Sequence, residues 1–246
     1  MTDLRLYDRG TATAIACWEH FARASEGACA IHAPGVAAAV FPHAPERAVY
    51  NNAILERDLQ SAERAAAIAA MDDAYAAASI DGFAAWVHET DLAMIEELER
   101  HDYRCTESTR AMGMSLHEFA VAVPEIDIGR PTWSEYQEFL ELVSVPAGLL
   151  QHVDATALEV TTARLRGRNV ATALSFDHDG DCGIFNVSTV PGARRRGLGT
   201  ALTALHLHAA KRRGCITASL QSTAMAEGVY AALGFEDLGR IREYVR

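Results

Sequence analysis

The sequence predicts a mixed α/β fold built from two units of one kind in tandem. Three observations carry that reading. Short apolar runs of strand length alternate along the 246-residue chain with segments of helical periodicity. The same order of strands and helices recurs in both halves. Two pairs of landmarks also stand at one fixed offset. Gly82 and Gly214 each end a long helix and open a strand, Tyr103 and Phe235 each begin a final strand, and both pairs are 132 residues apart. The join falls near Glu118–Val123, which gives units over 1–118 and 119–246.

In the first unit, TATAIACWEHFARAS (11–25) has helical spacing and starts at a Thr cap or at Gly10. ACAIHA (28–33), GVAAAVFP (35–42) and AVYNNAIL (48–55) read as strands. SAERAAAIAAMDDAYAAAS (61–79) is alanine-rich behind a Ser cap and reads as a helix. GFAAWVH (82–88) is a strand, DLAMIEELERH (91–101) an Asp-capped helix, and DYRCTESTRAMGMSL (102–116) a strand. The second unit opens at TWSEYQEFLELV (132–143), where Thr132 and Glu135 form a capping box. NVATALSFD (169–177) and DCGIFNVSTV (181–190) form a hairpin through the turn HDG. A helix (196–213), a strand (215–221), a helix (224–233) and a closing strand (236–245) follow.

Composition narrows the function. Half the residues are hydrophobic, ample for a core, and no apolar run approaches the length of about 18 residues that a membrane span needs. Asp3 and Asp8 stand where an export signal would carry basic residues, and five scattered cysteines include no CxxC. A reducing, cytoplasmic setting is therefore expected. The net charge is −11, and residues 1–120 hold 9 arginines against 19 carboxylates. That balance argues against nucleic acid as a partner and would modestly attract a cationic substrate. A single lysine, Lys211, against 21 arginines suggests a GC-rich bacterial source.

The chemistry concentrates in VPGARRRGLGTAL (190–202), between an apolar strand and an amphipathic helix. Gly197 and Gly199 remove side chains where backbone must wrap a ligand, and the free N–H groups of the helix's first turn favour an anion. Arg194, Arg195 and Arg196 add positive charge, so the segment reads as a phosphate cradle. It lacks the GK[ST] of a Walker A loop, and Leu202 replaces the third glycine of a dinucleotide fingerprint. On the loop alone, an ordinary strand-to-helix turn with a solvated basic face fits as well.

The second unit resembles the GNAT family of acyl-CoA N-acyltransferases. Arg194, Gly197 and Gly199 match the family's [QR]xxGx[GA] hallmark, and Tyr230, Gly234 and Phe235 match its "Y…GF" signature before the closing strand. The resemblance covers about 119–246. It implies two GNAT-like units, each a mostly antiparallel sheet flanked by helices. It also implies an acyl-CoA cosubstrate, acetyl-CoA first, and no metal. Pantetheine contacts would fall on Val187, Ser188 and Thr189. Pyrophosphate contacts would fall on Arg194, Arg195, Arg196, Gly197, Leu198, Gly199 and Thr200, mostly through main-chain N–H.

The reaction implied is direct acyl transfer in a ternary complex to a primary amine of a small molecule or peptide. Tyr230 is the implied acid that protonates the leaving thiolate. The general base stays open between Asp181 and a chain of waters, since ASLQST has no carboxylate where some relatives carry a glutamate. The alternative is a catalytically inactive acyl-CoA-binding regulatory or scaffold protein. In the first unit Leu98 replaces the tyrosine and ILERDLQSAERA replaces the glycine loop, so that unit is expected to have lost its cofactor site and to shape the acceptor cleft. A homodimer is left open. His206 and His208, two apart on a helix, face different ways and make no metal pair. Asp177 and Asp179 read as solvated turn residues, Cys182 and Cys215 as small core residues, and Trp18, Trp86 and Trp133 as packing anchors.

Overall fold

The alternation of apolar runs and helical stretches becomes an alternation of strands and helices in the computed structural model, which describes residues 2–43, 50–145 and 147–246. The first half holds α1 (Thr2–Ala22), β1 (Cys29–Ala33), β2 (Val36–Val40), β3 (Asn52–Leu55), α2 (Ser61–Ala77), β4 (Ala84–His88), α3 (Leu92–Arg100) and β5 (Arg104–Ser115). The second holds β6 (Asp127–Gly129), α4 (Trp133–Leu142), β7 (Leu158–Leu165), β8 (Arg168–His178) and β9 (Asp181–Thr189), then α5 (Leu198–Arg213), β10 (Thr217–Ser222), α6 (Glu227–Leu233) and β11 (Glu236–Val245). No helix among the described residues is long and apolar enough to cross a membrane.

By spatial contact the chain forms two compact units that do not follow chain order. The larger gathers Met1–Ala16 and Ala111–Leu238, the smaller Cys17–Arg110 and Gly239–Arg246. In the smaller unit β1, β2 and β3 run antiparallel to their neighbours, β3 and β4 pair in parallel, and β11 closes antiparallel on β4, with Ile241 opposite His88. Ala53, Leu55, Ala85 and Val87 alternate onto one face and bury against Ala67, Ile68, Met71 and Tyr75 of α2. The phenol of Tyr75 donates to the Ala39 carbonyl at 3.0 Å, and its ring stacks on Phe83 at 4.1 Å. Trp18 and Trp86 meet edge to face at 5.5 Å, as packing anchors should.

In the larger unit β6, β7, β8 and β9 form an antiparallel run, and β10 joins β9 in parallel. Helix α5 lies on one face. Its Leu198 and Leu202 pack with Ala163, Ala171 and Ala173, while Ala204 and Leu207 join Ile184, Ala218 and Leu220. The first part of α1 takes the other face, where Thr13 meets Asp181. The expected helix over 11–25 begins instead at Thr2, so Gly10 is interior rather than a cap. A Cβ at Gly10 would come within 2.8 Å of the Ser219 Cβ, so the glycine permits close helix–sheet contact.

Strands β6 and β7 were not foreseen. The buried positions of β7 are Thr161, Thr162 and Ala163, so it shows no apolar run; its hydroxyls are satisfied instead, Thr161 by His206 and Thr162 by Asn169. Of the strand expected over 48–55, residues 48 and 49 lie outside the described residues and the strand itself is Asn52–Leu55. The capping box at Thr132 and Glu135 and the Asp91 cap, which accepts from the Met94 N–H, form as expected.

Candidate functional site

The glycine segment folds into a tight turn. After Thr189 the chain makes a single 3-10 turn over Pro191–Ala193, and Arg194 Nε donates back to the Thr189 carbonyl at 3.2 Å. Arg195 (φ 63°) and Gly197 (φ 73°) then adopt left-handed backbone, and α5 starts at Leu198. For Arg195 that conformation costs of order 1 kcal/mol, a local strain that the turn sustains. Gly197 caps the helix without a side chain, and nothing stands within 4 Å of where its Cβ would be. Gly199 faces Val187, whose Cγ1 would lie 3.6 Å from an added Cβ. The first turn of α5 contains no acidic residue. Its leading N–H groups have no intrahelical acceptor, so the turn presents donors, a positive dipole end and three exposed arginines, Arg194 to Arg196, to one anion.

The strand leading into this turn is open along one edge. β9 and β10 pair only from Asp181 with Thr217 to Ile184 with Leu220, yet β9 runs five residues further, to Thr189. Beyond that fork, main-chain groups of residues 185–189 have no β10 partner, as an extended amide-bearing ligand requires. At the same place β9 bulges against β8. Thr172 opposes Ser188 and Leu174 opposes Phe185, so Asn186 and Val187 together face Ala173. Asn186 has φ 51°, and its side-chain amide donates to the Tyr136 hydroxyl at 3.1 Å. The sequence reading missed both residues; an Asn is tolerated in left-handed backbone, but nothing adjacent marks it.

Tyr230 sits on α6, which ends at Gly234 (φ 99°) and so turns the chain into β11. Phe235 folds back, its N–H donating to the Tyr230 carbonyl at 3.1 Å and its ring meeting the Tyr230 ring edge to face. Tyr230 is buried and shares one apolar cluster with Ile184 and Leu220, the last pair before the strands part. Burial pushes its phenol up to about 12, so it stays protonated at physiological pH.

Asp181 does not join this group. It begins β9, three residues and about 10 Å of strand before Ile184 at the fork, and it is turned to the other face. Its carboxylate, facing α1, already accepts hydroxyls from Thr13, Thr217 and Ser219 at 2.6–2.8 Å. It is a buried fastening, which removes it as the base. Asp177 is not a solvated turn residue either: Arg213 grips it from two nitrogens, at 2.6 and 2.9 Å. His206 is enclosed between the Thr161 and Ser175 hydroxyls, and burial pushes it down to about 4. His208 points to the Val121 carbonyl, and no group of metal-ligating residues forms among the described residues.

A separate hollow of about 580 Å³ opens at the other end of α5, beside Arg130, Trp133, Val160 and Arg212. Its remaining guanidinium, Arg213, is neutralised by Glu159 and Asp177 and stands at the negative end of the helix dipole. Arg130 also stands 3.7 Å from Glu159, and the negative dipole end makes the hollow a poorer cradle for a phosphate than the glycine turn. Among the described residues of the smaller unit, the corresponding helix start is also unlike a phosphate cradle. Where α5 starts at bare glycine, α2 carries Glu63 in its first turn, whose carboxylate accepts the Gln60 N–H at 2.7 Å and would repel an anion. Leu98 in that unit is fully buried.

Residues 157–237, which hold the fork, the glycine turn and Tyr230, match the family described as an acetyltransferase (GNAT) domain. That stretch is a GNAT domain. Solved structures extend the likeness to the whole chain. A GCN5-related N-acetyltransferase from Kribbella flavida is similar over 96% of this chain and 94% of its own, with 20% identity and a TM-score of 0.69. For one from Sphaerobacter thermophilus the coverage is 94% and 92%, with 14% identity and a TM-score of 0.60. A tandem GNAT protein from the clavulanic acid biosynthesis pathway covers 85% and 77%, with 15% identity and a TM-score of 0.57. At these identities the likeness is one of fold. No curated protein matches the chain. The family match supports acyl transfer as the general activity of that domain.

Proposed function

We propose that the protein transfers an acetyl group from acetyl-CoA to a primary amine of a small molecule or peptide, by direct attack in a ternary complex. The observation that carries this reading is a coincidence on one strand. β9 parts from β10 beyond Ile184 and then runs straight into an acid-free, glycine-capped helix start. Pantetheine amides would pair with the open edge at Val187, Ser188 and Thr189, and the pyrophosphate would rest on the N–H groups from Arg194 to Thr200. The thioester would then lie at the fork, beside the cluster that holds Tyr230.

The amine nitrogen attacks the thioester carbonyl as it loses a proton to water, since Asp181 is committed elsewhere. The carbonyl oxygen takes up negative charge and is met by a main-chain N–H of β9 near the bulge. Collapse breaks the C–S bond, and Tyr230 gives its proton to the sulfur. A phenol held near 12 is a proton donor at neutral pH and never a base there. Burial that raises the phenol also raises a thiolate formed beside it, which keeps the transfer between them feasible.

The smaller unit is read as a relative of the larger that has lost its cofactor site, within an ancestral division at 1–118 and 119–246. In support, each unit holds one parallel strand pair with a helix between its members, β3–α2–β4 and β9–α5–β10. Its acidic balance would help gather a cationic amine. The free cysteines support a reducing, cytoplasmic setting.

Calorimetric titration with acetyl-CoA, with Gly197→Glu as control, tests the reading. Binding that is lost in the variant is expected, because the new side chain strains a left-handed position and sets negative charge against phosphate. No binding by the native protein would overturn it. An amine panel followed by thiol release then separates a transferase from an inactive acyl-CoA-binding protein, which no feature of the site favours.

A further inference from the structure

We propose that Tyr136 and Asn186 are positioning residues: the hydrogen bond between them fixes the bulge in β9, and with it the main-chain N–H that meets the thioester carbonyl. The inference rests on the acetyl-CoA reading and adds to it the residues that hold the reactive end of the strand in shape.

A bulge with one residue in left-handed backbone is not self-supporting. Asn186 at φ 51° has left the extended region, and two residues stand where the ladder with β8 has room for one. Such a conformation persists only where the surroundings over-determine it. On its β10 side the strand offers no such support, since pairing has ended at Ile184. The support comes from α4. Asn186 reaches the Tyr136 hydroxyl, and Tyr136 is itself fully buried. Its ring lies 5.2 Å from the Trp133 ring, and the Trp133 indole N–H donates to the Leu150 carbonyl at 2.7 Å. One turn earlier, the capping box at Thr132 and Glu135 secures the start of the same helix. A pinned helix thus holds a pinned tyrosine, which holds the left-handed residue of the bulge by its side chain. If the bulge relaxed, the register beyond it would slip by one residue, and the N–H groups aimed along the open edge would turn to the opposite direction.

The test compares affinities for acetyl-CoA and for free CoA by calorimetry, which needs no knowledge of the acceptor. The two ligands share their pyrophosphate and pantetheine arms and differ only at the acetyl group, which free CoA replaces with a thiol. The native protein should prefer acetyl-CoA by about two- to tenfold, the worth of one hydrogen bond. Tyr136→Phe, which removes only the hydroxyl, should bring that ratio close to one: free CoA, which meets the same open edge, weakens, but acetyl-CoA weakens more. Asn186→Gly, which accepts left-handed backbone but drops the amide, should do the same. General destabilisation would weaken both ligands together and leave the ratio intact. A native protein that prefers acetyl-CoA alongside variants that keep the preference overturns the positioning role alone, as does a native protein with no preference. A native protein that binds neither ligand overturns the transferase reading beneath it.

Discussion

Acid should unfold this protein partly through one side chain. His206 lies at the middle of α5 with both ring nitrogens engaged, by the Thr161 hydroxyl at 2.8 Å and the Ser175 hydroxyl at 2.7 Å. Burial is the main reason its folded value falls from 6.5 to about 4. Above about pH 7.5 the ring is neutral in both folded and unfolded chains and adds no pH dependence. Between 6.5 and 4 the unfolded chain takes up a proton that the folded chain refuses, so stability falls as pH falls. At 1.36 kcal/mol per unit the full loss approaches about 3 kcal/mol, of which about 2 kcal/mol is incurred between pH 7.5 and 5. Carboxylates titrate in the same range, so the measurement is a difference. Urea unfolding at pH 7.5 and 5.0 would be run on the native protein and on His206→Gln, which keeps hydrogen-bonding capacity without a titrating ring. The native protein should lose about 2 kcal/mol more than the variant between the two pH values. Equal losses would refute a neutral, enclosed imidazole and the packing of α5 described above.

Three further outcomes follow from particular contacts. Gly10→Ala should destabilise by about 1–3 kcal/mol in urea unfolding, because its Cβ would press on Ser219. Asp181→Ala should cost about 3–5 kcal/mol by the same assay, since three buried hydroxyls lose their acceptor, yet leave affinity for acetyl-CoA within about twofold; a loss of affinity without a loss of stability would restore a role for this carboxylate at the site. Tyr230→Phe should lower turnover by about 10²- to 10⁴-fold in a thiol-release assay on any amine the panel reveals, with acetyl-CoA affinity retained.

Local signals with a mechanism of their own were legible in the sequence. The capping box at Thr132, the Asp91 cap, the HDG hairpin and the "Y…GF" turn each fix a few neighbouring residues, and each forms. The glycine turn was legible for the same reason, down to the helix that begins beside it. Features that depend on distant partners were not. β7 buries threonines whose acceptors and donors come from elsewhere in the chain, so its pattern reads as polar. Gly10 resembles a break until Ser219, far along the chain, is seen to press against it. The role of Asp181 depends on three hydroxyls from two other segments, and the bulge at Asn186 depends on a tyrosine fifty residues earlier.

The exchange of segments between the two units has a consequence for the order in which the protein can mature. The larger unit takes Thr13 of α1 as a donor to Asp181, which is synthesised much later. The smaller unit keeps Tyr244 of β11 in its apolar core, though most of that core precedes residue 104. During translation the early half therefore waits, with a hydrophobic slot unfilled, until the closing strand has left the ribosome. The smaller unit is completed last although most of it is made first, and a break in the chain at residue 118 would leave both halves missing a piece of their interior.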